Sequence, residues 1–292
     1  MLRRVLLLVK IIFCFLLFLA LFIGGLGAYC WHLNGERWQE EYAAFRKGAA
    51  PILMYHAVGP KRGIEWPEGL RIEASLFKEH LAYLKGEGYK FVTVAELAER
   101  LGSGRSVDKY IALTFDDGYK NNFSVVLPIL KKEGIKASFF VINKDIGDEL
   151  HMGEREIQAL LDAGMELGSH TYSHNPLADI DEKYLVWEFD TSRYWLKKKF
   201  NGYIVRTLAY PNGSYNETVI AAARKYGFYR ALTGHIGVNT ASTYAAAPME
   251  MYRVTVTDDG LDGFKRRLEQ AYFFGFLETK GIDINIIRDL FI

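Results

Sequence analysis

The stretch YIALTFDDGYKNNFSVVLPILKKEGIKASFFVI, residues 110–142, contains one complete strand–helix–strand pattern. Two short apolar runs, residues 110–115 and 137–142, flank an amphipathic segment that ends on Gly134, a residue suited to a left-handed helix C-cap. Strands that alternate with helices in this way typically form parallel sheets. The stretch therefore predicts an α/β fold, and an Asp116-Asp117-Gly118 turn follows its first strand directly.

The same alternation continues on both sides of this stretch. Seven or eight parallel strands fit either a closed (β/α) barrel or an open doubly wound sheet, and in both architectures chemistry collects beyond the carboxyl ends of the strands. After the last strand, residues 261–277 predict an amphipathic closing helix. The other candidate strands lie at residues 52–56, 89–94, 165–170, 203–210, 228–233 and 252–256.

The N-terminal region differs in composition from the rest of the chain. Residues 11–31 form an uncharged run of 21 residues, which is long enough to cross a hydrocarbon core about 30 Å thick. Arg3, Arg4 and Lys10 precede this run, and basic residues stay on the cytoplasmic side of a membrane. We therefore expect a single-pass protein of the cell membrane, whose domain beyond Trp31 is extracytoplasmic.

This interpretation divides the chain into four parts. Residues 1–10 are a cytoplasmic basic segment, residues 11–31 a transmembrane anchor, residues 32–50 a juxtamembrane stalk, and residues 51–292 the catalytic domain. The alternative for the apolar run is a cleaved signal sequence, which would release a secreted form. The run is longer than the apolar region of about 7 to 15 residues that is typical of such signals.

Composition and charge exclude several classes of protein. Half of the residues are hydrophobic and 24% are charged, which excludes a disordered chain. The formal net charge is +1, and outside the basic N-terminus the charges nearly balance, so we expect no nucleic-acid partner. Both cysteines, Cys14 and Cys30, lie in the predicted span, so a metal site in the exported domain must use histidines and carboxylates.

Unusual polar residues follow four of the predicted strands. They are Tyr55-His56, Asp116-Asp117-Gly118, Ser169-His170 and Tyr210-Pro211-Asn212-Gly213. His174 follows His170 by four residues, a spacing that predicts two imidazoles on one face of a helical turn. With a carboxylate from another strand, the pair would form a site suited to zinc or another divalent first-row metal. The remaining histidines of the domain core are interpreted as structural or exposed: His80, His151 and His235.

Two of these motifs resemble a known family. Thr114–Gly118 and His170–His174 are similar to the first two signature motifs of the polysaccharide deacetylases, carbohydrate esterase family 4, and the resemblance covers about residues 51–256. It implies a distorted (β/α) barrel and metal-dependent removal of N-acetyl groups from sugar polymers. It also implies that Asp117, His170 and His174 bind the metal, most simply Zn²⁺ with Co²⁺ or Ni²⁺ as alternatives, and that Asp116 is the general base.

The segment Pro51–His56 narrows the resemblance. It is similar to a motif of the members that deacetylate poly-β-1,6-N-acetyl-D-glucosamine, the exopolysaccharide of bacterial biofilms. The resemblance implies that His56 is the general acid, in place of a histidine that typical members have near the C-terminal end of the domain. In agreement, no histidine follows Tyr252.

The third motif departs from the family pattern. Ala209 stands where the family has an arginine that orients the base, and Arg206 and Arg253 are the two alternatives for that role. The segment Tyr210, Pro211 and Asn212 is expected to contact substrate, and a backbone N–H near Tyr210 is expected to bind the oxyanion.

The leading hypothesis is a membrane-anchored N-deacetylase of poly-β-1,6-N-acetyl-D-glucosamine. A deacetylase of peptidoglycan or a chitin-like polymer is the alternative substrate class, and a catalytically silent carbohydrate-binding protein is the alternative function. Expected partners are the N-acetylglucosamine polymer, the membrane, and an exopolysaccharide synthase or export machinery. Aromatic residues that could stack on sugars are Trp66, Tyr119 and Tyr172.

Overall fold

The computed structural model describes residues 35–60, 69–282 and 284. The predicted cytoplasmic segment and anchor, together with Trp66, lie outside these residues. Within the described ranges, no helix combines the length and the apolar character needed to span a membrane. The chain divides into two compact units, Met1–Phe45 and Arg46–Ile292.

The described chain begins in a helix and then joins the folded domain. Residues 35–47 form helix α1, which belongs largely to the first unit. Strand β1, Ala49–Ala50, is fully buried and pairs antiparallel with Asn239–Thr240. The folded domain therefore includes Ala49 and Ala50, two residues before the boundary that the sequence predicted at Pro51.

Strands and helices alternate along the second unit. The remaining strands are β2 Ile52–Tyr55, β3 Ala57–Val58, β4 Arg71–Ile72, β5 Lys90–Val92, β6 Tyr110–Phe115, β7 Ser138–Val141, β8 Glu166–Ser169, β9 Thr207–Ala209, β10 Arg230–Ile236, β11 Asn239–Thr240 and β12 Met251–Thr255. The remaining helices are α2 Ala74–Gly86, α3 Val94–Gly102, α4 Leu127–Glu133, α5 Glu154–Asp162, α6 Glu182–Val186, α7 Ser192–Lys199, α8 Glu217–Lys225, α9 Ala241–Ala246 and α10 Gly260–Thr279.

Seven parallel strands form a closed ring in the order β2, β12, β10, β9, β8, β7, β6. The ring closes because β2 pairs with both β12 and β6, with Ile52 opposite Ala112 and Tyr55 opposite Phe115. Strand β5 adds to the outside of this ring by pairing with the first half of β6. Of the two predicted architectures, the structure is the barrel and not the open sheet.

The strands are apolar because the barrel covers both of their faces. Five of the six residues of β6 are buried. Tyr55 and Phe115 stack with ring centroids 5.3 Å apart, and Phe139 of β7 stacks on Phe115 at 4.9 Å. Phe77 of α2 meets Tyr55 edge-on at 5.3 Å, which anchors the helix on the barrel.

Two predicted strands have at most half of their predicted length. The strand predicted at residues 89–94 ends at Val92, because the Thr93 side chain accepts a hydrogen bond from the Glu96 N–H and caps α3. The strand predicted at 203–210 is reduced to Thr207–Ala209. The predicted closing helix is confirmed as α10, whose Phe264 stacks on His80 of α2 with centroids 4.0 Å apart.

Candidate active site

The polar residues predicted at the strand ends meet in one cavity at the carboxyl edge of the barrel. The cavity has a volume of about 370 Å³. Strands β2, β6, β8 and β9 contribute to its lining as predicted, and β10 and β12 also contribute. Among the lining residues are His56, Asp116, Asp117, His170, His174, Tyr210, Asn212, His235 and Arg253.

Three of these residues form a set that could hold a metal ion. One ligand atom each from Asp117, His170 and His174 lies within 4.8 Å of the other two. The Asp117 Oδ1 atom is 3.4 Å from His170 Nε2 and 3.5 Å from His174 Nε2. The same oxygen is buried, and none of the described residues forms a hydrogen bond with it. A buried carboxylate oxygen that faces two imidazole nitrogens fits a cation between them.

The backbone around these ligands sets their directions. His170 Nδ1 lies 2.8 Å from the Ala209 carbonyl oxygen, so this nitrogen carries the proton and Nε2 is left to face Asp117. Asp117 adopts φ 69°, a left-handed conformation, and its Oδ1 faces both imidazoles, whereas the two Asp116 oxygens contact Arg253. The two adjacent aspartates can therefore take different roles.

The histidine pair does not lie on a helical turn, as its spacing had predicted. Residues 170–174 form an irregular loop in which Thr171 and His174 have φ values of 67° and 61°. The two left-handed residues reverse the chain, and they bring the two imidazole rings edge-to-face with centroids 4.7 Å apart. The spacing identified the pair correctly, but the loop and not a helix holds it.

A buried glutamate that no sequence motif marks fixes this loop. One carboxylate oxygen of Glu188 accepts hydrogen bonds from the backbone N–H groups of Tyr172 at 3.0 Å and Ser173 at 2.9 Å. Its other oxygen accepts from the Ser173 hydroxyl. Four residues further on, Ser192 bonds Ser169 at 2.7 Å and Asn143 at 2.6 Å. Glu188 thus holds the loop itself, and Ser192 holds the end of β8 that precedes it.

Asp116 is paired with Arg253, which decides between the two arginines that the sequence left open. An Arg253 guanidinium nitrogen lies 2.7 and 2.9 Å from the two Asp116 oxygens, and both side chains are 2% exposed. Burial raises the pKa of Asp116, but Arg253, His170 and His56 outweigh it, so the pKa is lowered and the carboxylate stays ionised. Arg206 instead lies over the ring of Tyr229.

His56 follows β2 and lines the same cavity. Its Nδ1 atom is buried and has no hydrogen-bond partner among the described residues. A histidine beside the ionised Asp116 and the metal-ligand set is placed where a proton donor is needed.

Comparison with known proteins agrees with this geometry. The polysaccharide deacetylase family model matches residues 103–231. The YxkH protein of Bacillus subtilis (strain 168), named as a candidate polysaccharide deacetylase, is 31% identical over 203 residues, which cover 69% of this chain and 68% of that protein. The chain belongs to the polysaccharide deacetylase family.

Two solved structures show the same fold. The Streptococcus pyogenes deacetylase PplD, in complex with acetate, matches with a TM-score of 0.68 and 25% identity over 77% of this chain and 99% of that chain. IcaB from Ammonifex degensii matches with a TM-score of 0.66 and 27% identity over 77% of this chain and 97% of that chain.

In this polysaccharide deacetylase, the predicted oxyanion segment has one suitable backbone donor. The Tyr210 N–H donates to the Leu232 carbonyl at 3.1 Å, and Pro211 has no N–H. Asn212 lines the cavity in a left-handed conformation with φ 53°. Among the three predicted residues, the backbone N–H of Asn212 is therefore the candidate for binding the oxyanion.

The other histidines and aromatic residues that the sequence singled out lie in different parts of the domain. His80 is buried in the α2 packing, and His151 stacks on Tyr119 at 5.1 Å, both outside the cavity. His235 is exposed as predicted, but it belongs to β10 and lines the cavity. Tyr172 packs edge-on against Trp187 at 5.4 Å. No sequence motif marked His235, because only the barrel brings β10 to the site.

Proposed function

We propose that this polysaccharide deacetylase is a metal-dependent N-deacetylase that acts on poly-β-1,6-N-acetyl-D-glucosamine and releases acetate. The observation that carries the proposal is the presence in one cavity of a metal-ligand set, a carboxylate held by an arginine, and a histidine. Amide hydrolysis requires these three functions: activation of water, removal of its proton, and protonation of the leaving nitrogen.

The donor set fits a resident divalent metal. Asp117, His170 and His174 would hold it, and Zn²⁺ is the simplest choice for two histidines and one carboxylate, with Co²⁺ and Ni²⁺ as alternatives. When bound, such a metal would lower the pKa of a water molecule and polarise the acetyl carbonyl.

The chain's own residues handle the protons and the developing charge. Asp116 accepts the proton of the attacking water, because Arg253 keeps its carboxylate ionised and oriented toward the cavity. The Asn212 N–H donates a hydrogen bond to the oxygen that becomes negative as water adds. His56 gives a proton to the sugar nitrogen, so the amine can leave and acetate is released.

Two observations support the proposed substrate: the position of His56 after the first barrel strand, and a relative whose name states this substrate. His56 reaches the cavity from the first barrel strand, as the Pro51–His56 segment implied. The poly-β-1,6-N-acetyl-D-glucosamine N-deacetylase of Staphylococcus epidermidis is 25% identical over 227 residues, covering 69% of this chain and 78% of that protein. Peptidoglycan and chitin-like polymers are the competing substrates, and the silent binding protein is the competing function.

The proposed place of action is outside the cell membrane. The support is the uncharged run of residues 11–31 behind three basic residues. A polymer outside the cell would then be accessible to the barrel, and a synthase or exporter of that polymer would be the natural neighbour.

Acetate release by the purified full-length protein tests the proposal. β-1,6-linked N-acetylglucosamine oligomers and chitin oligomers are compared, each with added Zn²⁺ or Co²⁺ and with chelator. We expect chelator-sensitive release from the β-1,6 oligomers. Release from chitin oligomers alone would overturn the substrate, and binding without release from either would favour the silent binder.

Variants of Asp117 and His56 distinguish metal binding from proton donation. Asp117→Asn is expected to lose both bound metal and activity, whereas His56→Ala is expected to keep the metal and lose about 10²- to 10⁴-fold in rate. Full activity of either variant would remove the corresponding assignment.

A further inference from the structure

A second cavity lies beside the catalytic one. Its volume is about 330 Å³, and His235 lines both cavities. The ring of Tyr215, which also lines the second cavity, stacks on Tyr210 of the catalytic cavity with centroids 4.8 Å apart. The two cavities are therefore neighbours that share a wall. We call the second one the Glu250 cavity, after the acidic residue in its lining.

The lining of the Glu250 cavity combines aromatic faces with polar groups. Tyr215 and Tyr252 contribute rings, and His235 meets Tyr215 edge-on at 6.1 Å. Thr243, from α9, adds a hydroxyl-bearing side chain. Aromatic rings with polar edges suit a ligand that has one apolar face and a rim of hydrogen-bonding groups, and a sugar ring is such a ligand.

The charge of the Glu250 cavity further restricts which ligands suit it. Glu250 is the only carboxylate in its lining, and the lining contains no lysine or arginine. The Glu250 side chain is half-buried and forms no hydrogen bond or ion pair with any described residue. A partly desolvated carboxylate that lacks a cationic partner favours a ligand that brings a positive charge.

We propose that the Glu250 cavity is a subsite for the sugar unit adjacent to the one being deacetylated, and that Glu250 selects a unit whose amine is already free and protonated. This inference rests on the proposed function. The catalytic cavity needs an N-acetyl group, whereas the Glu250 cavity prefers the ammonium group that deacetylation leaves behind. The protein then acts best beside units that it has already processed, and deacetylated units accumulate in clusters along the polymer.

The test compares two β-1,6-linked oligomers of equal length with the full-length, metal-loaded protein. One oligomer is fully acetylated, and the other carries a single free amine. We expect the wild-type protein to show a KM about three- to tenfold lower for the oligomer with the amine, as one partly buried ion pair allows. Glu250→Gln, which keeps the shape and removes the charge, should make the two KM values equal.

A matched control distinguishes a local contact from a general electrostatic field. Glu217, in the first turn of α8, also acts electrostatically on Tyr210 but does not line the Glu250 cavity. Glu217→Gln should retain the wild-type preference. Acetate release without preference in the wild-type protein, or a preference that survives in Glu250→Gln, would overturn the subsite while leaving the deacetylase proposal intact.

Equilibrium binding tests the subsite without catalysis. A fully deacetylated β-1,6-glucosamine oligomer has no acetyl group to hydrolyse, and calorimetry can measure its Kd. Binding by the wild-type protein that weakens about three- to tenfold in Glu250→Gln, and that weakens with added salt, supports the subsite even if no substrate is hydrolysed. Equal affinity in the two proteins contradicts it.

Discussion

Arg253 shows how a single residue can replace a missing one from another part of the chain. The family pattern has an arginine at the position of Ala209, next to the oxyanion segment on β9. Here the guanidinium comes from β12 and reaches Asp116 across the inside of the barrel. Because it contacts both oxygens of the carboxylate, it fixes the orientation of the base as well as its charge.

We therefore predict that Arg253→Lys lowers kcat about 10- to 100-fold. The lysine keeps the positive charge, but it lacks the Nε–H that Arg253 donates to the Thr233 carbonyl at 2.8 Å, so its flexible ammonium group is no longer held against Asp116. Metal content should stay at the wild-type level, since Arg253 is not among the ligand set. Steady-state kinetics and metal analysis on the same preparation check this.

Arg206 provides the comparison for that experiment. It was the other candidate for orienting the base, and it lies over Tyr229 away from the cavity. Arg206→Lys should leave kcat unchanged. If Arg206→Lys lost as much activity as Arg253→Lys, the loss of kcat in Arg253→Lys could not be attributed to its contact with Asp116.

At the scale of elements, the segment between α6 and α7 controls the metal-ligand loop. Residues 187–191 form a π-helical turn, which places Glu188 and Ser192 against the loop. Such turns are frequent at functional sites. Two residues of the loop, Thr171 and His174, are left-handed, so its own sequence does not hold it in place, and the buried carboxylate supplies the hydrogen bonds.

Glu188→Gln is expected to weaken metal binding about 10- to 100-fold, the range typical of residues that orient ligands. The amide oxygen can still accept from the backbone N–H groups of Tyr172 and Ser173, but the negative charge is lost, and an NH₂ group replaces the oxygen that accepts from the Ser173 hydroxyl. Metal titration measures the effect. Glu182→Gln, at an exposed position on α6, is the control that should bind metal like the wild-type protein.

The contact between β7 and β8 depends on a glycine for space rather than for backbone conformation. A Cβ atom at Gly168 would lie 2.2 Å from a ring carbon of Phe140, its pairing partner on β7. Gly168→Ala should therefore lower the free energy of unfolding by about 1 to 3 kcal/mol. Gly86, in α2, has no atom within 4 Å of such a Cβ. Gly86→Ala should not destabilise the protein, and denaturant unfolding of both variants checks the pair.

At the scale of the whole molecule, α2 and α10 pack together through a buried histidine. His80 lies 3.2 Å from the Tyr55 hydroxyl through Nδ1 and stacks on Phe264. Burial lowers the pKa of His80 to about 4, and the nearby Asp259 only partly opposes this shift. Neutral His80 is therefore the form that the fold accepts.

This shift predicts how stability depends on pH. Between an ordinary histidine pKa of about 6.5 and the folded value of about 4, the unfolded chain binds a proton that the folded chain does not. Stability should therefore fall as pH decreases through this window. His80→Gln should show a flatter dependence there, measured as the urea midpoint at several pH values, although its absolute stability is lower. An unchanged slope would contradict the role of His80.

Much of the site was predicted from the sequence because it depends on local order along the chain. Four of the candidate site residues come directly after a strand: His56 after β2, Asp116 and Asp117 after β6, and His170 after β8. In a parallel barrel all those strand ends lie at one rim, so the alternation of strands and helices was enough to predict that they meet. The cavity confirms this for all of them.

The residues that the sequence could not assign act across long separations. Arg253 contacts a residue 137 positions away, and Glu188 holds a loop about 15 positions before it through backbone groups that have no sequence signal. The alternation of strands and helices also left open whether the strands close into a ring, which only the family resemblance implied. Closure depends on the pairing of β2 with β6, whose register partners, such as Leu53 and Leu113, lie 60 positions apart (113 − 53).

The sequence by itself thus determined which polar side chains meet and at which edge of the sheet, because strand periodicity and strand order are local properties of the chain. The family resemblance implied the barrel that the structure shows, whereas tertiary structure alone decided that Arg253 rather than Arg206 contacts Asp116, and that a loop rather than a helix presents the histidines. These outcomes depend on packing and hydrogen bonding between residues distant in sequence, and no local pattern encodes such pairings.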